Sequence, residues 1–159
     1  MRPYSKTQII LHWAVALLVV AQFVFHESIA AAWDGFLEGK PGGFDPLVFS
    51  HVVGGGLILA LVVWRMVMRR RQGAVAPVAG TSPFMARVTH WGHLALYGVL
   101  VLAAFSGMAA WFGGVHQAAE VHELLKIVIL VLVGGHFAAA LFHQFYLKDK
   151  LLQRMSLHK

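Results

Sequence analysis

HELLKIVILVLVGGH, residues 122–136, carries a histidine at each end of a mostly apolar run. From Ile127 the chain runs to Tyr146 without a single acid, lysine or arginine. About 20 apolar residues rising about 1.5 Å each are enough to cross the hydrocarbon core of a bilayer. Fourteen residues separate His122 from His136. On a helix that is about 21 Å and nearly four turns, so both imidazoles stand on almost one face at two depths.

Working outward, three further stretches lack Asp, Glu, Lys and Arg for the length of a span: Thr7 to His26, Pro46 to Trp64, and Val88 to Ala119. The last is longer than a crossing needs, and the pair Gly113-Gly114 marks its exit. Composition agrees with this reading. The chain has 159 residues, of which 58% are hydrophobic and 13% charged, more apolar surface than so short a chain can hide in itself. A conventional water-soluble enzyme is excluded. The absence of cysteine removes disulfides, thiolate-held iron–sulfur clusters, cysteine nucleophiles and covalently attached c-type haem. The expectation is all-α: one domain over residues 1–159, an integral membrane four-helix bundle.

Helix starts are partly legible. Asp45-Pro46 and Ser82-Pro83 each fit an N-cap followed by a first helical proline. Gly73 to Pro83 reads as a connection at the membrane face and Ala32 to Asp45 as the other sizeable loop, with Gly113 to Ala119 a short one. The first span has a basic flank like that of a secretory signal. Gln22 and His26 interrupt the signal pattern, and no clear small-residue cleavage site follows, so it is read as a retained helix.

The charges set the orientation. Arg2, Lys6, Arg65, Arg69, Arg70, Arg71, Arg87, Lys148, Lys150, Arg154 and Lys159 fall on one side, with only Lys40 and Lys126 on the other. Asp149 is the single acid on the basic side. The positive-inside rule puts both termini of this multi-pass chain in the cytoplasm. The formal charge of +6 then has a bilayer explanation, and nucleic acid is not an expected partner.

Imidazoles at membrane depth are costly and face another helix, a pathway or a cofactor. His12 lies near the cytoplasmic end of the first span and His51 near the opposite end of the second. His122 is thereby set across the bundle from His51, and His136 from His12: two pairs, one near each face. Neutral imidazole is a haem ligand, and a pair above and below the ring saturates the iron, favouring electron transfer. A proton or ion pathway and plain structural hydrogen bonding remain open on spacing alone. Gly54 and Gly55, three and four residues after His51, and Gly134-Gly135 before His136 leave room for a flat macrocycle or for another helix. His93 is the candidate among the other histidines for a propionate or quinone contact, although the third span offers it no companion at the opposite depth. His143 is a substitute for His136 if the helix begins elsewhere. His26 and His116 read as interfacial. Arg65 and Lys126 either snorkel to water or neutralise haem propionates, Arg65 at the inner level and Lys126 at the outer. The five tryptophans, near span ends, fit an aromatic belt.

The segments YSKTQIILHW (residues 4–13), HVVGGGLILALVVWRMVMR (51–69), ARVTHWGHLALYGVLVLAAFSG (86–107) and VHELLKIVILVLVGGHFAAALFHQFYLKDKLLQRM (121–155) together resemble the bacterial cytochrome b561 family, diheme b-type membrane cytochromes related to hydrogenase cytochrome b subunits. The resemblance covers most of the chain. It implies two haem b groups held by His12, His51, His122 and His136, electron exchange with a membrane quinone, ubiquinone being the expected acceptor, and a place in a respiratory chain. Some relatives are superoxide:ubiquinone oxidoreductases, so superoxide or another external donor is the implied electron source. A cytochrome b subunit serving a dehydrogenase or hydrogenase partner is the alternative, and a haem-free, histidine-dependent transporter is a second. The loop before His122 looks short for the family, which bears on the donor more than on the haems.

Overall fold

A computed structural model describes residues 4–40, 42–73, 81–149 and 151–156. Five α-helices follow one another: α1 (Lys6–Val24), α2 (His26–Leu37), α3 (Pro46–Gln72), α4 (Pro83–Gly113) and α5 (His116–Leu141). A π-helical turn, Phe142–Tyr146, continues α5, and a 3-10 turn, Leu151–Met155, follows it. No strand occurs among the described residues. Arg2, Pro77, Gly80, Lys150 and Lys159, which fall within the charge and loop readings, lie outside them.

α1, α3, α4 and α5 with its π turn are each long and apolar enough to cross a membrane. The protein is an all-α integral membrane protein. α3 and α5 run beyond their charge-free cores. α3 has 27 residues and α4 has 31, roughly 40 and 46 Å against a hydrocarbon core of about 30 Å. α3 therefore continues beyond Trp64 as a helix bearing Arg65, Arg69, Arg70 and Arg71, and α5 begins at His116, placing Glu120, Glu123 and Lys126 on its first turns. These residue types are good helix formers, and water satisfies their charged ends.

Two loop expectations are corrected. Of Gly113 to Ala119 only Gly114 and Val115 lie between helices, since α4 ends at Gly113 and α5 begins at His116. Ala32 to Asp45 is not loop throughout: α2 reaches Leu37. Its 12 residues are too few to span, but the Ala-rich run favours helix, and α2 packs on α3 and α1. Phe36, near its end, approaches Gly114 in the α4–α5 turn: a Cβ on that glycine would meet the Phe36 ring at 3.7 Å. α2 thus covers one end of the bundle.

Two of the caps fall on the residues predicted for them. Asp45 Oδ1 accepts from the backbone N–H of Leu47 at 2.7 Å, with Pro46 opening α3. Ser82 Oγ accepts from Met85 N–H at 3.2 Å before Pro83. Ser5 and Gln8 form a reciprocal capping box at the start of α1, satisfying two otherwise orphaned donors. Gly114, at φ 62°, takes the left-handed conformation that turns α4 directly into α5.

Two side chains fix α1 antiparallel to α3. Gln22 Nε2 donates to the carbonyl of His51 at 3.1 Å near one end, and Arg65 Nη1 donates to the carbonyl of Gln8 at 3.1 Å near the other. α4 packs along α5 and α3 along α4, while α5 forms no comparable seam with α1 or α3. The core between them is thin: Val15, Val19, Ile58, Val62, Val99, Ala103 and Ile129. Leu17, Phe105 and Val131 are well over half exposed, the outward apolar surface that suits lipid rather than water.

Candidate functional site

The space left between α5 and its neighbours is bordered by the paired histidines. His51 on α3 and His122 on α5 face each other with ring centres 6.4 Å apart. His12 on α1 and His136 on α5 do so at 6.0 Å. The two pairs stand at opposite ends of the apolar core, and all four rings are partly buried.

Around the first pair lies a partly open cavity with a mostly apolar lining, the character of a cofactor pocket. Val19, Phe23, Gly55, Ile58, Leu100 and Ile129 give it apolar walls, and His26 and Lys126 stand on its polar side. His122 is held firmly. Its Nδ1 donates to the carbonyl of Ala103 at 2.8 Å, with Ser106 Oγ at 3.3 Å. The hydrogen on Nδ1 leaves the Nε2 lone pair for a metal, the arrangement that orients metal-ligating histidine. Gly107 makes room for the ring: a Cβ there would lie 3.0 Å from His122 Cε1. His51 differs, because its Nδ1 is buried without a hydrogen-bond partner.

These residues fit a haem. Two imidazoles on opposite sides of one iron, each bonded at about 2 Å, have ring centres roughly 6 Å apart, and both observed pairs match. Gly55 lines the cavity, and Gly134 and Gly135 have open space where side chains would stand. Gly54 does something else: it is buried against Gln22, whose Nε2 would lie 2.3 Å from an added Cβ.

The other candidates sort by contact. His93 finds a neighbour on another helix: its ring meets His136 of α5 at 5.2 Å, edge to face, while its Nδ1 donates to the carbonyl of Thr89 at 2.7 Å. That separation is shorter than two ligands of one iron allow. His90 accepts from Arg69 at 3.1 Å. His143 pairs with Asp149 beyond the π turn, which ties it to the tail and away from a substitute role for His136. Lys126 Nζ donates to His26 Nε2 at 2.7 Å and to Glu123 at 2.5 Å, so His26 belongs to the cavity and not merely to the interface. Arg65 reaches the Gln8 carbonyl, on the His12 side of the bundle. From the sequence alone, Gln22, His26, Ser106 and Gly107 have no role at the site: Gln22 and His26 stand out only as breaks in a signal pattern, and His26 as interfacial. A glutamine inside an apolar span and a serine one residue before a glycine are the signals that could have found three of them.

A family model described as prokaryotic cytochrome b561 matches residues 3–156. The chain belongs to the prokaryotic cytochrome b561 family. It is therefore a membrane electron-transfer protein of a haem b family. A cytochrome b562 of Cereibacter sphaeroides is 38% identical over 153 residues, covering 96% of this chain and 94% of that one. A probable superoxide oxidase, CybB, of Yersinia pestis is 29% identical, covering 97% and 96%. A cytochrome b561 homolog of Escherichia coli is 24% identical, covering 98% and 97%. The alignment with the Yersinia protein runs over 178 positions, more than the 159 residues present here, so that relative carries residues without a counterpart in this cytochrome.

Proposed function

We propose that this cytochrome is a single-domain diheme electron conduit of the bacterial inner membrane, coupling a donor on the non-cytoplasmic side to the membrane quinone pool. The observation that carries the reading is the occurrence of two facing imidazole pairs, at 6.4 and 6.0 Å, at opposite ends of one membrane bundle. His51 and His122 hold the outer haem, His12 and His136 the inner one. When bound, haem b supplies one-electron ferric–ferrous chemistry.

The chain's own residues do the rest. Ala103 and Ser106 keep His122 in the tautomer with Nε2 free. The apolar walls exclude water and strengthen each electrostatic contact within. Lys126 and Arg65 supply positive charge for haem carboxylates at the outer and inner levels, and His93, beside His136, is placed for a polar contact with a quinone or a propionate. The arginine-rich end of α3 lies on the His12 side, so the positive-inside rule places that level and both termini toward the cytoplasm. Ubiquinone is the acceptor of the proposal: two electrons and two protons convert it to the quinol.

Two donors fit. Superoxide, which gives up one electron and leaves as dioxygen, is suggested by the Yersinia relative's name. A protein redox partner is favoured by the shorter chain, because the residues that the superoxide oxidase relative has in addition are missing here. Haem-to-protein stoichiometry tests the core of the proposal. The intact protein is expected to hold two haems, His51→Ala or His122→Ala to lose one, and His12→Ala or His136→Ala the other. Unchanged haem content in all four variants overturns it. Quinone reduction by purified protein with superoxide alone then separates the two donors.

A further inference from the structure

The two outer imidazoles are supported unequally. His122 has the Ala103 carbonyl on its Nδ1, whereas the Nδ1 of His51 is buried with no partner. A ring N–H left bare at membrane depth keeps its full desolvation penalty, and ligating histidines nearly always give that hydrogen to an acceptor. One complementary atom stands nearby. Gln22 lines the same cavity as His51, its Nε2 is tied to the His51 backbone carbonyl at 3.1 Å, and its Oε1 is also buried without a partner. Gly54 keeps the space that this amide occupies, since a Cβ there would fall 2.3 Å from Gln22 Nε2. A donor and an acceptor, both unsatisfied, thus share one wall, on a side chain already anchored to the residue it would serve.

We infer that Gln22 is the positioning residue of the outer haem: its amide oxygen takes the Nδ1 hydrogen of His51 when the haem is bound, leaving Nε2 of His51 to the iron. Gln22 then does for His51 what the Ala103 carbonyl does for His122. One amide clamps backbone and ring together, and Gly54 is the seat that lets it do so. The strength of this hydrogen bond sets how much electron density His51 gives the iron, so Gln22 acts on the outer potential without touching the haem. The inference rests on the diheme reading above.

The test is a potentiometric titration of the two haems, followed optically, in Gln22→Met and Gln22→Glu proteins, with low-spin ferric EPR of each. Both variants lose the amide N–H given to the His51 carbonyl, and the carboxylate of Gln22→Glu lowers the outer midpoint by its charge alone, so the rise in Gln22→Met is the change that a merely structural glutamine does not predict. Positioning predicts opposite changes. Without an acceptor in Gln22→Met, the outer midpoint moves up. With a carboxylate acceptor in Gln22→Glu, it moves down, and the inner midpoint stays in place in both. Outer midpoints that move together, or not at all, overturn the inference. Loss of the outer haem from Gln22→Met with its retention in Gln22→Glu supports it, because Gln22→Glu alone keeps an acceptor for the ring; loss from both overturns it. Haem-free wild-type protein sinks the diheme reading itself, an outcome visible before any variant is made.

Discussion

Gly107 offers the sharpest test of the outer site. An alanine Cβ at this position would stand 3.0 Å from His122 Cε1 and 3.1 Å from its Nδ1, where ordinary contact begins at 3.4 Å. The imidazole must retreat by about 0.4 Å, which stretches a 2.8 Å hydrogen bond to Ala103 toward about 3.2 Å, the long end of the useful range. Overpacking of this size costs about 1–3 kcal/mol, and alanine returns up to about 1 kcal/mol through helix propensity. The net loss to the fold in Gly107→Ala is about 1 kcal/mol. The helix term is the same with and without haem, so the displaced ligand weakens the hold on one haem by at least about fivefold. Valine adds two further carbons toward the ring, and Gly107→Val is expected to shed the outer haem while keeping the inner. Pyridine haemochromogen analysis at limiting haem reads both effects. Gly98→Ala, on the same helix but with nothing within 4 Å of the added carbon, is the control and should keep both haems. A Gly107→Val protein with two haems and an unaltered reduced-minus-oxidised spectrum would refute the placement of His122 as a ligand.

Further outcomes follow from the same geometry. His93→Phe is expected to retain both haems, because 5.2 Å from His136 is too short for a shared iron; loss of one haem on spectroscopic titration contradicts that. Lys126→Met should lower the outer midpoint and Arg65→Gln the inner one, each by tens of millivolts, since removing a nearby positive charge makes reduction harder, with an effect on the order of 1 kcal/mol. A potentiometric titration with unmoved midpoints removes the propionate roles. Asp149→Asn breaks the pairing with His143, whose side chain is 12% exposed against 15% for Asp149, while Asp149 Oδ1 also accepts from the backbone N–H of Leu151 at 3.1 Å. A loss of about 1–3 kcal/mol should open the tail to proteolysis near Lys148 at unchanged haem content; equal protease resistance means that the pairing does not hold the tail.

The membrane fold was legible because it rests on local chemistry. Charge-free runs of bilayer length, Asp45-Pro46 and Ser82-Pro83 as helix starts, and the basic residues at one face need no tertiary partner to be recognised. His122 and His136 share a face through helical periodicity alone. What periodicity cannot supply is the azimuth of one helix against another. Only the packed bundle decided that His93 meets His136, that His143 turns to Asp149, that His26 joins Lys126 at the outer cavity, and that Gly54 and Gly107 make room for Gln22 and the His122 ring. α2 escaped the reading for a related reason: its helix is too short to span, and it gains its place by packing on α3 across the end of the bundle. Spans are thus determined by each segment's own transfer from water to lipid, whereas the hydrogen-bond partners of the imidazoles depend on contacts between residues far apart in the chain, which exist only once the helices have met.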